Sequence, residues 1–90
     1  MGGGMLRLEN RPDDLLPRFQ CLRRFSPRVN EVLRWMVEGK RNGEIATILG
    51  ISPRTVEKHV AVVLEGFGAE NRATAIVRAM ETYAQEAREE

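Results

Sequence analysis

The chain has 90 residues, 42% of them apolar and 30% charged, with a formal net charge of +1. A chain this short buries roughly two thirds of its unfolded surface, enough for one modest core but not for the deep, layered pocket that most enzymes need. The single Cys21 excludes an internal disulfide and no Cys/His cluster offers a metal site, so a reducing, cytoplasmic setting without cofactor is expected. The longest apolar run, Val60 to Leu64, falls far short of the roughly 20 residues a membrane helix needs, and no basic-then-apolar signal segment opens the chain.

The low net charge is a weak advertisement for nucleic acid, but it hides an uneven distribution. Residues 1–22 balance Arg7, Arg11 and Arg18 against Glu9, Asp13 and Asp14. Residues 23–72 carry nine basic groups against six acids, hence +3, and residues 73–90 carry two against four, hence −2. The positive charge is central and the tail is acidic.

In chain order, Met1-Gly2-Gly3-Gly4 reads as a linker. Leu6 and Leu8 alternate with charged residues as a short strand would, and Arg11 to Leu16 could open a short helix that Pro17 stops. Residues 1–22 are therefore expected to be a linker or the remnant of an upstream segment, partly ordered, ahead of a domain at 23–88. Ser26-Pro27 is an N-cap followed by proline at the first helical position, and Val29, Val32, Leu33, Met36 and Val37 recur at helical spacing until Gly39. This predicts a first helix over about 27–38. A second, about 42–49, presents Ile45, Ile48 and Leu49 and ends at Gly50. Ser52-Pro53 starts a third, about 53–66, with Val56, Val60, Val63 and Phe67 on its inner stripe and Gly66 and Gly68 closing it. A fourth, about 71–87, carries Ala73, Ile76, Val77, Met80, Tyr83, Ala84 and Ala87. No other run alternates with period two, so the fold class is all-α, a four-helix bundle.

Glu44 to Ser52 combines a short helix, a glycine turn and a newly capped helix, with Ala46 small where two helices cross. That is a helix-turn-helix, over about residues 42–61, whose second helix has the width to enter a DNA major groove. The runs Phe25-Ser26-Pro27-Arg28, Glu38-Gly39-Lys40, Glu44-Ile45-Ala46, Leu49 to Val60 and Asn71-Arg72 together resemble the LuxR-type (GerE/FixJ) DNA-binding domain, over about residues 25–84. The resemblance implies a tetrahelical domain at the C-terminus of a transcription regulator, usually behind a receiver domain, as in response regulators, or a ligand-sensing domain. It also implies double-stranded DNA as partner and homodimerisation, often through helix four, on paired half-sites. RNA polymerase is a further candidate partner.

The outward face of the third helix comprises Arg54, Glu57, Lys58, Ala61, Val62 and Glu65. In the family, the positions matching Glu57, Lys58 and Ala61 commonly reach base edges. Lysine can donate to guanine, glutamate can accept from cytosine N4, and alanine can meet a thymine methyl. Arg54 and Thr55 at the helix start, with Lys40 and Arg41 before helix two, suit phosphates. Without the motif, the same face would read as an ordinary solvated helix surface. On helix four, Ala73, Val77, Met80 and Ala84 exceed what one small core needs and form a candidate dimer seam, the plainer role being closure against helix one.

The sequence also departs from the family pattern. Val29 stands where a glutamate would complete a capping box with Ser26, and Arg41 where a Ser or Thr cap is common, although Glu44 is kept. At the end of helix three, Val62, Glu65 and Gly66 replace a common asparagine and a basic pair. The groove-side charge is then Arg54 and Lys58 against Glu57 and Glu65, and weak, dimer-dependent DNA binding follows. His59 and Trp35 read as packing residues, and Cys21 as a residue without a sensor role. The rival reading is a protein-interaction module that uses this fold with reduced or lost DNA binding and an apolar Ala61-Val62 patch. A third, resembling region 4 of a sigma factor, has no further sigma segment behind it. Nothing points to an enzyme.

Overall fold

In the computed structural model, Leu22 and residues 24–89 are described; the strand, helix and linker expected within residues 1–21, and Cys21 itself, lie outside them. The first described helix, α1 (Pro27–Val37), begins where Ser26 turns from extended backbone and its Oγ accepts the Val29 N–H at 3.2 Å. Val29, which forgoes the capping-box glutamate, is buried instead. Gly39, at φ +91°, turns the chain away after α1.

The second helix, α2 (Asn42–Leu49), opens with the Arg41 N–H donating to Glu44 Oε1 at 2.8 Å. This is half of a capping box, because a guanidinium has no acceptor to return. Gly50 ends α2 in the left-handed conformation at φ +70°, and the Ile51 N–H reaches back to Ala46 O at 3.0 Å. Ser52 then caps α3 (Pro53–Phe67), its Oγ accepting the Thr55 N–H at 3.1 Å. Gly68 terminates α3 at φ +61°, and Asn71 Oδ1 accepts the Thr74 N–H at 2.9 Å to cap α4 (Arg72–Glu89). Four helices and no strand make up the described residues.

One core joins all of them. Val32, Leu33 and Met36 of α1, Ile45 and Ala46 of α2, Val56 and Val63 of α3, and Ala75, Ala79 and Tyr83 of α4 are buried together with Leu22 and Phe25. The third helix is central, packing against α1, α2 and α4. The inner face of α2 differs from the periodic reading. Ile45, Ala46 and Leu49 face inward, whereas Ile48 is 45% exposed. Gly66 lies inside α3, and Gly68 alone ends the helix.

The segment before α1 is tied down by one side chain. Asn30, buried in α1, accepts the Leu22 N–H at 2.9 Å through Oδ1 and donates through Nδ2 to Leu22 O at 2.9 Å. The same Nδ2 reaches Phe25 O and Ser26 O, each at 3.2 Å. A buried amide satisfied this fully fixes the backbone around it.

Candidate nucleic-acid interface

The geometry of α3 follows from the turn that precedes it. Gly50 reverses the chain, Ser52 satisfies the first amides of the new helix, and Val56 and Val63, both fully buried, press its inner side against the core. The 3.6-residue period then leaves Arg54, Glu57, Lys58, Ala61, Val62 and Glu65 on the outside, and all six are exposed. The structure brings together on one face the residues expected to read bases, Glu57, Lys58 and Ala61. Of the residues expected at phosphates, Arg54 and Arg41 are exposed, and Lys40 and Thr55 half-buried. Thr55 is the least free: its hydroxyl lies 3.0 Å from Ser52 Oγ, inside the helix cap.

The basic side chains divide into two sets. Arg24, Arg28, Arg34, Arg72 and Arg78 are engaged inside the domain, Arg34 with Glu38 and over the Trp35 ring. Arg28 pairs with Glu31 at 2.8 Å; Arg72 bonds Asn42 Oδ1 at 2.8 Å and Lys40 O at 2.7 Å. Arg78 donates to Phe67 O at 2.7 Å, and Arg24 to Gly66 O at 3.0 Å. By contrast, the side chains of Lys40, Arg41, Arg54 and Lys58 make no hydrogen bond or ion pair among the described residues, and at the far end of α4 the same holds for Arg88. The domain consumes its structural arginines internally and leaves its helix-turn-helix cations available.

Gly66, which stands where the family pattern has one of a basic pair, lies beside Phe25: a Cβ there would come within 2.5 Å of the Phe25 ring. The absence of a side chain at this position makes room for that ring.

On α4 the sides are also clear. Ala75, Ala79 and Tyr83 turn inward, while Ala73 and Ala84 are exposed and Val77 and Met80 are each 52% exposed. Sequence reading missed Ala75 and Ala79; their period with Tyr83 was the available signal, obscured by larger neighbours. The exposed side is a shallow depression lined by Ala73, Thr74, Val77, Arg78 and Glu81. Among the described residues no His/Cys/Asp/Glu group has the arrangement to hold a metal ion, and no helix is long and apolar enough to cross a membrane.

Comparison with known proteins supplies the family. Residues 23–79 match the family described as "Bacterial regulatory proteins, luxR family". The chain belongs to that family. Its helix-turn-helix is the DNA-binding domain of a family of transcription regulators. It is 42% identical over 57 residues to the transcriptional activator protein BjaR1 of Bradyrhizobium diazoefficiens, covering 63% of this chain and 24% of that protein. It is 49% identical over 51 residues to the transcriptional activator protein YukR of Yersinia ruckeri, covering 57% of this chain and 22% of that protein. It is 39% identical over 57 residues to the HTH-type quorum sensing-dependent transcriptional regulator RpaR of Rhodopseudomonas palustris, covering 63% and 24%. The chain thus spans about a quarter of the length of the curated relatives it matches.

Proposed function

We propose that this luxR-family chain binds duplex DNA sequence-specifically as a dimer and serves as the output domain of a transcription regulator, with α3 in the major groove. The observation that carries this reading is the division of the cations: Arg54 and Lys58 on the exposed face of α3, and Lys40 and Arg41 before α2, are left unengaged while other arginines are used internally. Lys40, Arg41 and Arg54 set register on phosphates, with Thr55 beside them at the helix start. Glu57, Lys58 and Ala61 read base edges. Dimerisation through Ala73, Val77, Met80 and Ala84 of α4 supplies the second half-site, and RNA polymerase is a partner for the assembled complex. The description of relatives as transcriptional activators supports the regulatory role.

The test is duplex binding followed by fluorescence anisotropy as salt is lowered. Affinity should climb steeply, with a log–log slope that counts the phosphates neutralised. Absence of binding even at low salt overturns the reading. A protein-interaction role has one observation in its favour: Val62 is 44% exposed on a helix face whose formal charges, Arg54 and Lys58 against Glu57 and Glu65, cancel. Glu65→Lys separates the two, raising affinity and salt slope for a DNA-binding face and leaving a protein-binding face without duplex affinity.

A further inference from the structure

The last turn of α3 carries no cation of its own; Glu65 is its charged residue, at the negative end of the helix dipole. Two guanidinium groups from elsewhere in the chain occupy that end. Arg24, from the segment before α1, donates through Nη1 to Gly66 O at 3.0 Å, and its guanidinium carbon lies 5.2 Å from the centre of the Phe67 ring. Arg78, from α4, donates through Nη1 to Phe67 O at 2.7 Å and to Gly68 O at 3.2 Å. Three successive carbonyls at the end of α3 are therefore each held by an arginine. The Phe25 ring fills the space over Gly66 and meets Phe67 edge-on, with ring centres 5.6 Å apart.

Charged donors on helix-end carbonyls form strong, directional bonds that also offset the dipole. They act where the core holds α3 least. The start of the helix is fixed by the Gly50–Ser52 turn and by Val56. Beyond Val63 the inward side chains of α3 are Leu64 and Phe67, both half-buried, with Ala69 packing just after the helix. Without the arginines, the last turn of this 15-residue helix could tilt about Val63. Lys58 and Ala61 lie between the two fixed ends, so their aim depends on both.

We propose that Arg24 and Arg78 are positioning residues for DNA recognition, holding α3 from its C-terminal end so that Lys58 and Ala61 meet base edges in one fixed orientation. This rests on the DNA-binding reading above. The segment before α1 and the outer helix α4 are then both parts of the recognition apparatus, though neither need touch DNA.

The experiment compares the unaltered chain with Arg24→Gln, Arg78→Gln, their combination, and Arg24→Lys and Arg78→Lys. Two quantities are measured: binding across a salt series to a duplex selected from a random pool by the unaltered chain and to a scrambled duplex of equal length, and amide hydrogen exchange in α3 without DNA. In the double glutamine variant, preference for the selected duplex should fall about tenfold, the loss of one well-aligned base contact, with the salt slope unchanged. Amides of Leu64 to Ala69 should exchange faster while those of α2 do not, and the lysine variants should recover part of both effects. Equal loss on both duplexes, with the slope falling by about one unit per arginine, would make these residues phosphate contacts and overturn the proposal. Undiminished preference in variants with lowered melting temperature would make them structural and also overturn it. If the unaltered chain binds neither duplex, the DNA-binding reading falls and takes the recognition role with it; unchanged exchange in the variants overturns the clamp alone.

Discussion

Arg72, in the first turn of α4, reaches Asn42, in the first turn of α2, with 2.8 Å between Nη1 and Oδ1, and its Nη2 lies 2.7 Å from Lys40 O. One guanidinium thus fastens the start of α4 to the loop and helix that precede the recognition turn. Lys40, whose side chain is a candidate phosphate contact, has its backbone held by this bond to a residue distant in sequence.

Arg72→Ala removes two charge-assisted bonds at a partly buried site and should destabilise the domain by about 1–3 kcal/mol. In a domain of this size the melting temperature should drop by roughly 4–8 °C for each kcal/mol, measurable by circular dichroism. A melting temperature unchanged from that of the parent chain would refute a structural role for the contact.

Gly66→Ala tests whether this glycine is a helix stop or a packing site. On propensity alone, alanine inside a helix should stabilise by roughly 1 kcal/mol. Here the added methyl meets the buried ring of Phe25, which Phe67 backs, and overpacking of this kind costs about 1–3 kcal/mol. Gly66→Ala should therefore destabilise, and in a Phe25→Leu background the sign should reverse. Chemical denaturation of the four proteins completes the cycle.

Lys58→Ala and Lys40→Ala should have different signatures. Loss of a base-reading lysine should reduce discrimination between a selected and a scrambled duplex by about 1–3 kcal/mol. Loss of a phosphate contact should weaken both complexes alike and lower the salt slope by about one unit. Anisotropy titrations at several salt concentrations distinguish the two.

Met80→Glu probes the outer side of α4. Met80 is 52% exposed, so folding should change by no more than about 0.5 kcal/mol. A glutamate at a self-associating seam would bury two like charges, and sedimentation should show the dimer lost. Binding to a single half-site should survive while tight binding to a paired site does not. An undiminished dimer would place the seam elsewhere.

Much of the fold is written in short-range signals. Ser26-Pro27, Ser52-Pro53 and Asn71 start helices, and Gly39, Gly50 and Gly68 turn the chain after them, because caps and left-handed turns need those residue types. What escaped sequence reading depends on distant partners. Ala75 and Ala79 lie inward because α1 approaches α4 closely, whereas the larger Val77 and Met80, which periodicity favours as packing residues, face out. Ile48 is a similar case on α2. Gly66 resembles a terminator until Phe25, remote in sequence, is seen against it. The candidate interface was legible because the helix-turn-helix fixes which residues of α3 point outward. Which of the many arginines remain unengaged was not legible, since that depends on carbonyls such as Gly66 O and Lys40 O reached only in the folded chain.

The cancelling charges on the outer face of α3 bear on how such a protein would find its site. A genome offers roughly 10⁶–10⁹ competing positions, and a strongly cationic reading helix lingers at each of them. On the proposed reading, a helix that brings two acids as well as two bases to the groove would release the wrong sequences quickly. Fewer copies of the protein would then be held in reserve on irrelevant DNA, and occupancy of the correct site would be governed by hydrogen-bond fit and pairing of protomers rather than by bulk attraction.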